Sequence, residues 1–229
     1  MVTQDTLSFL NDLKHNNNRE WFHANKKRYE TAKQNVLDII SFLISEISKF
    51  DDDIWPFDPK KGLFRIARDI RFSNDKTPYK TNFGSCICPK GKNIWNQSTY
   101  YLHIEPGKSF FSAGVYMPDK DYLNDIRKTI YYDFDLFEEI IGNKEFVKKF
   151  GGLQDDNDKM TRVPYGFDKD SPAANYLKYR NYFVAINLSD KIITDEKLFS
   201  KEVLSAAKVM KPFNDFFNHI VKDETKGEC

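Results

Sequence analysis

The sequence predicts an α+β fold: an antiparallel meander sheet covered by helices, with a long helix near the N-terminus and further helices at the C-terminal end. Three observations carry this prediction. Apolar residues recur at helical spacing at both ends of the chain, two-residue alternation is confined to the middle third and one late run, and the strands are gathered together rather than interleaved with helices.

Residues 4–14 place Leu7, Leu10 and Leu13 at helical spacing, and "HNNN" ends that helix with residues that favour turns and caps. In "NNREW", Asn17 as cap with Glu20 three positions on opens a long helix, with an apolar stripe of Phe22, Tyr29, Ala32, Val36, Ile39, Ile40, Leu43 and Ile47. "FDDDIWPFDPKKG" breaks it with acid, Pro56, Pro59 and Gly62. "LFRI" reads as a short strand, "NFGSCIC" as a second, and "STYYLHIE" and "SFFSAGVYM" as a hairpin joined through Pro106, Gly107 and Lys108. Helices follow near 119–131, 133–141 and 143–150, with Pro118 suited to a first turn and Gly142 to a stop. "GGLQDDNDKMTRVPYGFDKD" is a loop, Asp170 or Ser171 with Pro172 starts a short helix, and "YFVAINL" is the last strand. Residues 195–222 are helical, bent or restarted at Pro212. Residues 1–229 are read as one domain.

The 229 residues are enough to bury a core without disulfide or metal, since a chain of this size hides roughly 70% of its extended surface. Charge is balanced, 35 basic against 34 acidic residues, so no global field draws the molecule to nucleic acid or a lipid surface. Cys86 and Cys88 sit too close along one strand to bridge easily, and with Cys229 they give neither a disulfide framework nor a zinc spacing, the cysteine usage of a reducing compartment. The N-terminus lacks a secretory pattern, and no apolar run reaches the roughly 20 residues a bilayer span requires. The expectation is a cytoplasmic protein without a membrane partner. Histidines 15, 23, 103 and 219 are far apart, and no glycine-rich phosphate loop, dinucleotide fingerprint or nucleophile elbow is present, so neither metal nor cofactor is expected.

Positive charge is concentrated locally. Between Lys60 and Lys80 seven cations face only Asp69 and Asp75, a local net charge of +5. Arg65, Arg68, Arg71, Lys76 and Lys80 are therefore candidates to grip an anion, because the arginine fork matches planar oxygens and lysine adds a movable point charge. "SNDKTPY" supplies a shaped turn, with Pro78 holding Thr77 extended. The alternative is that these arginines pair with Asp69, Asp75 or the "FDDD" carboxylates as loop struts. Alternation in "TYYLHIE" puts Tyr101, His103 and Glu105 on one face and Tyr100, Leu102 and Ile104 on the core face. The polar row is either an acid–base set, with histidine titrating near neutrality and a carboxylate orienting it, or an ordered polar face. Arg162, near Lys178 and Arg180 in sequence, is a third candidate that would complete a basic cleft.

Five stretches, "FLNDLKHNNNREWFHANKKRYE", "FRIARDIRFSNDKTPYKTNFG", "YYLHIEPGKSFFSAGVYMP", "RVPYGFDKDSPAANYLKYRNYFV" and "MKPFNDFFN", together resemble an uncharacterised microbial family catalogued as domain of unknown function 2461. The resemblance implies that residues 65–80, the Tyr101–His103 region and the Arg162 loop are family-defining features, and it implies no reaction, cofactor or catalytic residue. Three function classes follow: a binding or enzymatic domain for a phosphorylated or other anionic small molecule, a nucleic-acid-associated protein using the same basic strip, and a non-catalytic structural or interaction domain. Whether the chain is an enzyme stays open at this stage.

Overall fold

The computed structural model describes residues 1–54, 57–88, 96–155 and 157–224. The helix-ending Pro56 and the terminal Cys229 lie outside these residues. The architecture is α+β: strands β1 (Phe83–Ile87), β2 (Thr99–Ile104), β3 (Ser109–Val115) and β4 (Tyr182–Leu188) bond in chain order as an antiparallel meander. Among the described residues no helix is long and apolar enough to cross a membrane. The described residues group into two compact units, one drawn from 1–91, 101–111 and 187–205, the other from 92–100, 112–186 and 206–229.

In the first unit, α1 (Gln4–His15) is capped by Thr3, whose hydroxyl accepts from the Thr6 amide, and buries Leu7, Phe9, Leu10 and Leu13. The expected long helix comes in two pieces. Asn18, not Asn17, is the cap: its side chain accepts from the Trp21 amide and starts α2 (Arg19–Ala24), which stops at Asn25. Helix α3 (Lys26–Ile47) then buries Val36, Ile39, Ile40, Leu43, Ile44 and Ile47 against α1, each worth about 1.5–3 kcal/mol of transfer energy. Asn17 is free of the cap because its amide is used elsewhere: Nδ2 donates to the Tyr79 carbonyl at 2.9 Å and Oδ1 accepts from the Tyr79 amide at 3.1 Å.

After the short helix α4 (Pro59–Gly62), "LFRI" does not form a strand. Leu63 makes an isolated bridge with Ser85, and just beyond the stretch Ala67 makes another with Tyr79, around which Lys80 and Arg68 close only one bonded pair. The β2–β3 hairpin forms as expected. Lys108 donates to the Glu105 carbonyl at 3.0 Å, and the Ser109 hydroxyl both accepts from the Glu105 amide and donates to its carbonyl. Gly107 takes φ 74°, a left-handed turn position that glycine fills without strain, and its amide donates to Asp190.

In the second unit, α5 (Lys120–Tyr132) is capped by Asp119, and α6 (Phe134–Gly142) and α7 (Lys144–Phe150) follow. Phe137, Phe146, Phe213 and Phe217 form the aromatic core, with Phe213 and Phe217 ring centroids 4.9 Å apart. A short helix absent from the sequence reading, α8 (Asp190–Thr194), belongs to the first unit; α9 (Glu196–Glu224) follows and continues through Pro212. A proline inside a helix costs about 3 kcal/mol. Burial of Met210, Phe213 and Phe217 around it offsets this, so the helix neither stops nor restarts. Ser98 ties this part of α9 to the start of β2. Its amide donates to Asn218 at 2.8 Å and its hydroxyl to Asn214 at 2.6 Å, leaving these buried groups satisfied.

Candidate functional site

The basic segment is a braced loop whose base is a narrow ribbon. Phe64 donates to Gly84, Lys80 to Ile66 and Arg68 to Pro78, all backbone bonds of 2.8–2.9 Å, while Asn17 holds Tyr79 from the helical side. The Tyr79 ring stacks on Phe22 at 4.0 Å, which holds the returning segment against α2.

Within the loop the five candidate cations divide. Arg68 is enclosed by partners: its guanidinium meets the Asp75 carboxylate and the Thr77 hydroxyl, and reaches the Thr77 carbonyl at 3.3 Å. Asp75 accepts from the Thr77 amide at 2.9 Å, and that bond, with the Arg68 and Thr77 side chains, lowers its pKa to about 2. Arg71 forks onto Asp69 through Nε at 3.0 Å and Nη2 at 2.7 Å, lowering the Asp69 pKa and raising its own. Lys76 donates to the Ile70 carbonyl at 3.1 Å. Arg68 and Arg71 are thus paired with Asp75 and Asp69, the pairings of the strut alternative, and Lys76 bonds within the loop.

Arg65 and Lys80 remain. Among the described residues neither has an ion-pair partner. Lys80 is half-buried, with its ammonium 5.6 Å from the Phe64 ring centroid, and burial together with the nearby Arg65 charge lowers its pKa. The Arg65 charge acts on Asp69 only from beyond ion-pair distance, so an anion between the two like charges relieves them further.

On the same side, Phe64 also meets Tyr101, with ring centroids 6.1 Å apart, where the alternating face of β2 begins. Tyr101 Oη lies 3.1 Å from His103 Nδ1, and His103 Nε2 lies 3.2 Å from Glu105 Oε2. An ionised carboxylate only accepts, so His103 Nε2 carries the proton and Nδ1 accepts from the Tyr101 hydroxyl. The His103 and Glu105 side chains are only 14% and 19% exposed, so the relay is largely screened from solvent. Burial lowers the His103 pKa and the Glu105 hydrogen bond partly restores it, which keeps the ring neutral and able to take a proton. The opposite face of the strand, with Leu102 and Ile104, is buried.

Two supports for this row are visible only in three dimensions. Phe110 of β3 stacks on the His103 ring at 4.7 Å and 12°, setting its orientation. Gly84 of β1 lies beneath the Tyr101 hydroxyl so closely that a Cβ there would stand 2.5 Å from Oη. Alternation in "SFF" marks Phe110 as an outward residue, but nothing in the sequence marks Gly84 or Asn17. Chemically, the row can pass a proton from Tyr101 to His103 while Glu105 stabilises the resulting imidazolium.

Arg162 belongs to the second unit and lines an open cleft there with Tyr165, Lys169 and Lys178. Among the described residues no group of three or more histidine, cysteine, aspartate or glutamate side chains is placed to hold a metal ion. Cys86 and Cys88 are buried thiols outside any disulfide, and the Cys88 thiol pKa is pushed up by its bond to Cys86 and by burial.

No curated protein and no solved structure matches the chain. The model of the family described as Conserved hypothetical protein (DUF2461) matches residues 5–216, and the chain belongs to that family.

Proposed function

We propose that the first unit recognises a phosphorylated or otherwise anionic small molecule, with Arg65 and Lys80 receiving the anionic group and Tyr101, His103 and Glu105 acting on the ligand by proton transfer. The observation that carries this reading is the continuous relay of 3.1 and 3.2 Å contacts, whose histidine is largely screened from solvent and neutral. Placed beside two cations that make no ion pair among the described residues, it supplies an acceptor for a proton where negative charge is held. Arg68, Arg71 and Lys76 support the site by keeping the loop rigid. Buried cysteines held as thiols accord with a cytoplasmic setting.

Thermal unfolding with added phosphate tests the proposal. Binding to the folded state raises Tm with the ratio of phosphate to its dissociation constant, and chloride at equal ionic strength controls for general salt effects. The expected result is a phosphate-dependent rise in the wild type that is lost in Arg65→Ala and in Lys80→Ala. Equal rises in all three proteins would overturn it.

One observation favours a second reading, a nucleic-acid strand on the same loop. Phe72 is 95% exposed and Arg71 lies 5.8 Å from its ring centroid, an arrangement suited to stacking a base beside a phosphate. Oligonucleotide affinity would then fall with salt at a log–log slope of about 0.7 per phosphate contacted, and Phe72→Ala would weaken it.

A further inference from the structure

We infer that the loop between α7 and β4 carries a separate binding cleft for a nucleoside phosphate, met either as a free nucleotide or as one unit of a single strand. Residues 161–169 and Lys178 border an open cleft of about 810 Å³. That volume lies within the roughly 300–1,000 Å³ that bound small molecules occupy.

The loop is held in shape from its base. Arg127 donates through Nε to the Leu177 carbonyl at 2.9 Å and through Nη2 to the Tyr179 carbonyl at 3.1 Å, and the same guanidinium touches the Met160 sulfur at 3.2 Å. Met160 in turn donates its amide to the Lys178 carbonyl at 2.8 Å, closing the two ends of the loop on each other. At the tip, Gly166 turns the chain at φ 93° between two aromatic residues with opposite fates. Phe167 is anchored edge-on to Tyr131, with centroids 5.4 Å apart, whereas Tyr165 stands clear of its surroundings at 104% exposure.

Charge completes the arrangement. Arg162, Lys169 and Lys178 have no ion-pair partner among the described residues, and the Lys178 ammonium meets only the neutral Asn175 amide oxygen at 3.3 Å. A phosphate alone would leave the exposed ring without a role, and an uncharged aromatic ligand would leave three cations unused. A flat base on Tyr165 with its phosphate toward the cations uses both.

Isothermal titration of the full chain with adenosine 5′-monophosphate, adenosine, inorganic phosphate and a hexa-adenylate strand tests the assignment. The monophosphate binds about ten-fold or more tighter than adenosine or phosphate, and Tyr165→Ala and Arg162→Gln each weaken it by about ten-fold, while Tyr165→Phe keeps it within about three-fold. Both residues are exposed, so an unchanged Tm shows that the fold is intact. Tighter binding of the strand than of the monophosphate assigns the site to single strands; equal or weaker binding assigns it to free nucleotide. Tyr165→Ala weakens the monophosphate by the same factor in an Arg65→Ala background as in the wild type, which separates this cleft from the anion site of the first unit. A monophosphate that binds no tighter than adenosine and phosphate, or that binds Tyr165→Ala and Arg162→Gln as it binds the wild type, overturns the inference.

Discussion

Gly84→Ala perturbs the proposed relay from a strand that contributes nothing else to it. The new Cβ would stand 2.5 Å from Tyr101 Oη, 3.2 Å from Tyr101 Cζ and 3.3 Å from a Phe64 ring carbon. Ordinary contact begins near 3.4 Å, so the hydroxyl must withdraw by roughly 0.9 Å. Because Oη is the far end of a side chain, withdrawal costs less than moving the strand, but it stretches the 3.1 Å bond to His103 beyond hydrogen-bond range. A lost bond of about 0.5–1.5 kcal/mol and crowding of about 1–3 kcal/mol oppose the small gain from replacing a strand glycine, for a net destabilisation of about 1–3 kcal/mol. The assay is a double-mutant cycle by urea unfolding, with Tyr101→Phe as the second change. Removing the hydroxyl removes the 2.5 Å clash and the bond and leaves only the milder ring contacts, so Gly84→Ala costs less in that background, by about 1 kcal/mol, and the glycine term cancels. An equal cost in both backgrounds would refute the argument that Gly84 exists to admit the Tyr101 hydroxyl.

Three further outcomes are expected. Asn17→Ala removes both bonds to the Tyr79 backbone; it destabilises by about 1–3 kcal/mol and raises amide exchange at residues 66–68 and 78–80 ahead of the helices, as read by hydrogen exchange mass spectrometry. The Asp75 pKa is depressed to about 2, so the order it lends the loop is present above its unfolded value near 4 and is lost as pH falls through about 2. Limited pepsin cleavage within 68–77 therefore rises across that window in the wild type, whereas Asp75→Asn is cleaved already at pH 4. Lys80→Met keeps the packing on Phe64 but removes a cation whose charged form is disfavoured by burial and by Arg65; its Tm without anion is equal to or above that of the wild type, while phosphate no longer raises it.

The hairpin and its two faces were legible because alternation is a local signal: Leu102 and Ile104 had to face a core, which put His103 and Glu105 on the other side. The helices α1 and α5–α7 were legible through apolar periodicity, although Pro118, read as part of a first turn, stands before the Asp119 cap of α5. What escaped depends on partners far apart in sequence. Asn17 was read as a cap because its sequence offset suits one, yet Tyr79, 62 positions away, takes its amide and leaves capping to Asn18. The break at Asn25 carries no proline or glycine to announce it, and α8 has only five residues, too few for periodicity to register despite its Ser189 cap. The concentration of charge at 65–80 was plain, but its division was not. Which arginines brace the loop follows from the turn that brings Asp75 onto Arg68 and Asp69 onto Arg71.

The central claim is that His103 is held neutral between Tyr101 and Glu105 beside an anion site, and nitrogen-15 NMR titration of its imidazole tests it directly. A histidine whose folded pKa is lowered contributes stability that is present above its unfolded pKa of about 6.5 and is lost as pH falls through the lower folded value. The account predicts a single tautomer protonated on Nε2 and a titration midpoint below 6.5. It also predicts a midpoint that falls further in Glu105→Gln, because the carboxylate is what partly restores it, and one that rises on adding phosphate to the wild type but not to Lys80→Met. A midpoint near 6.5 with both tautomers present, unmoved by Glu105→Gln and by phosphate, would contradict it.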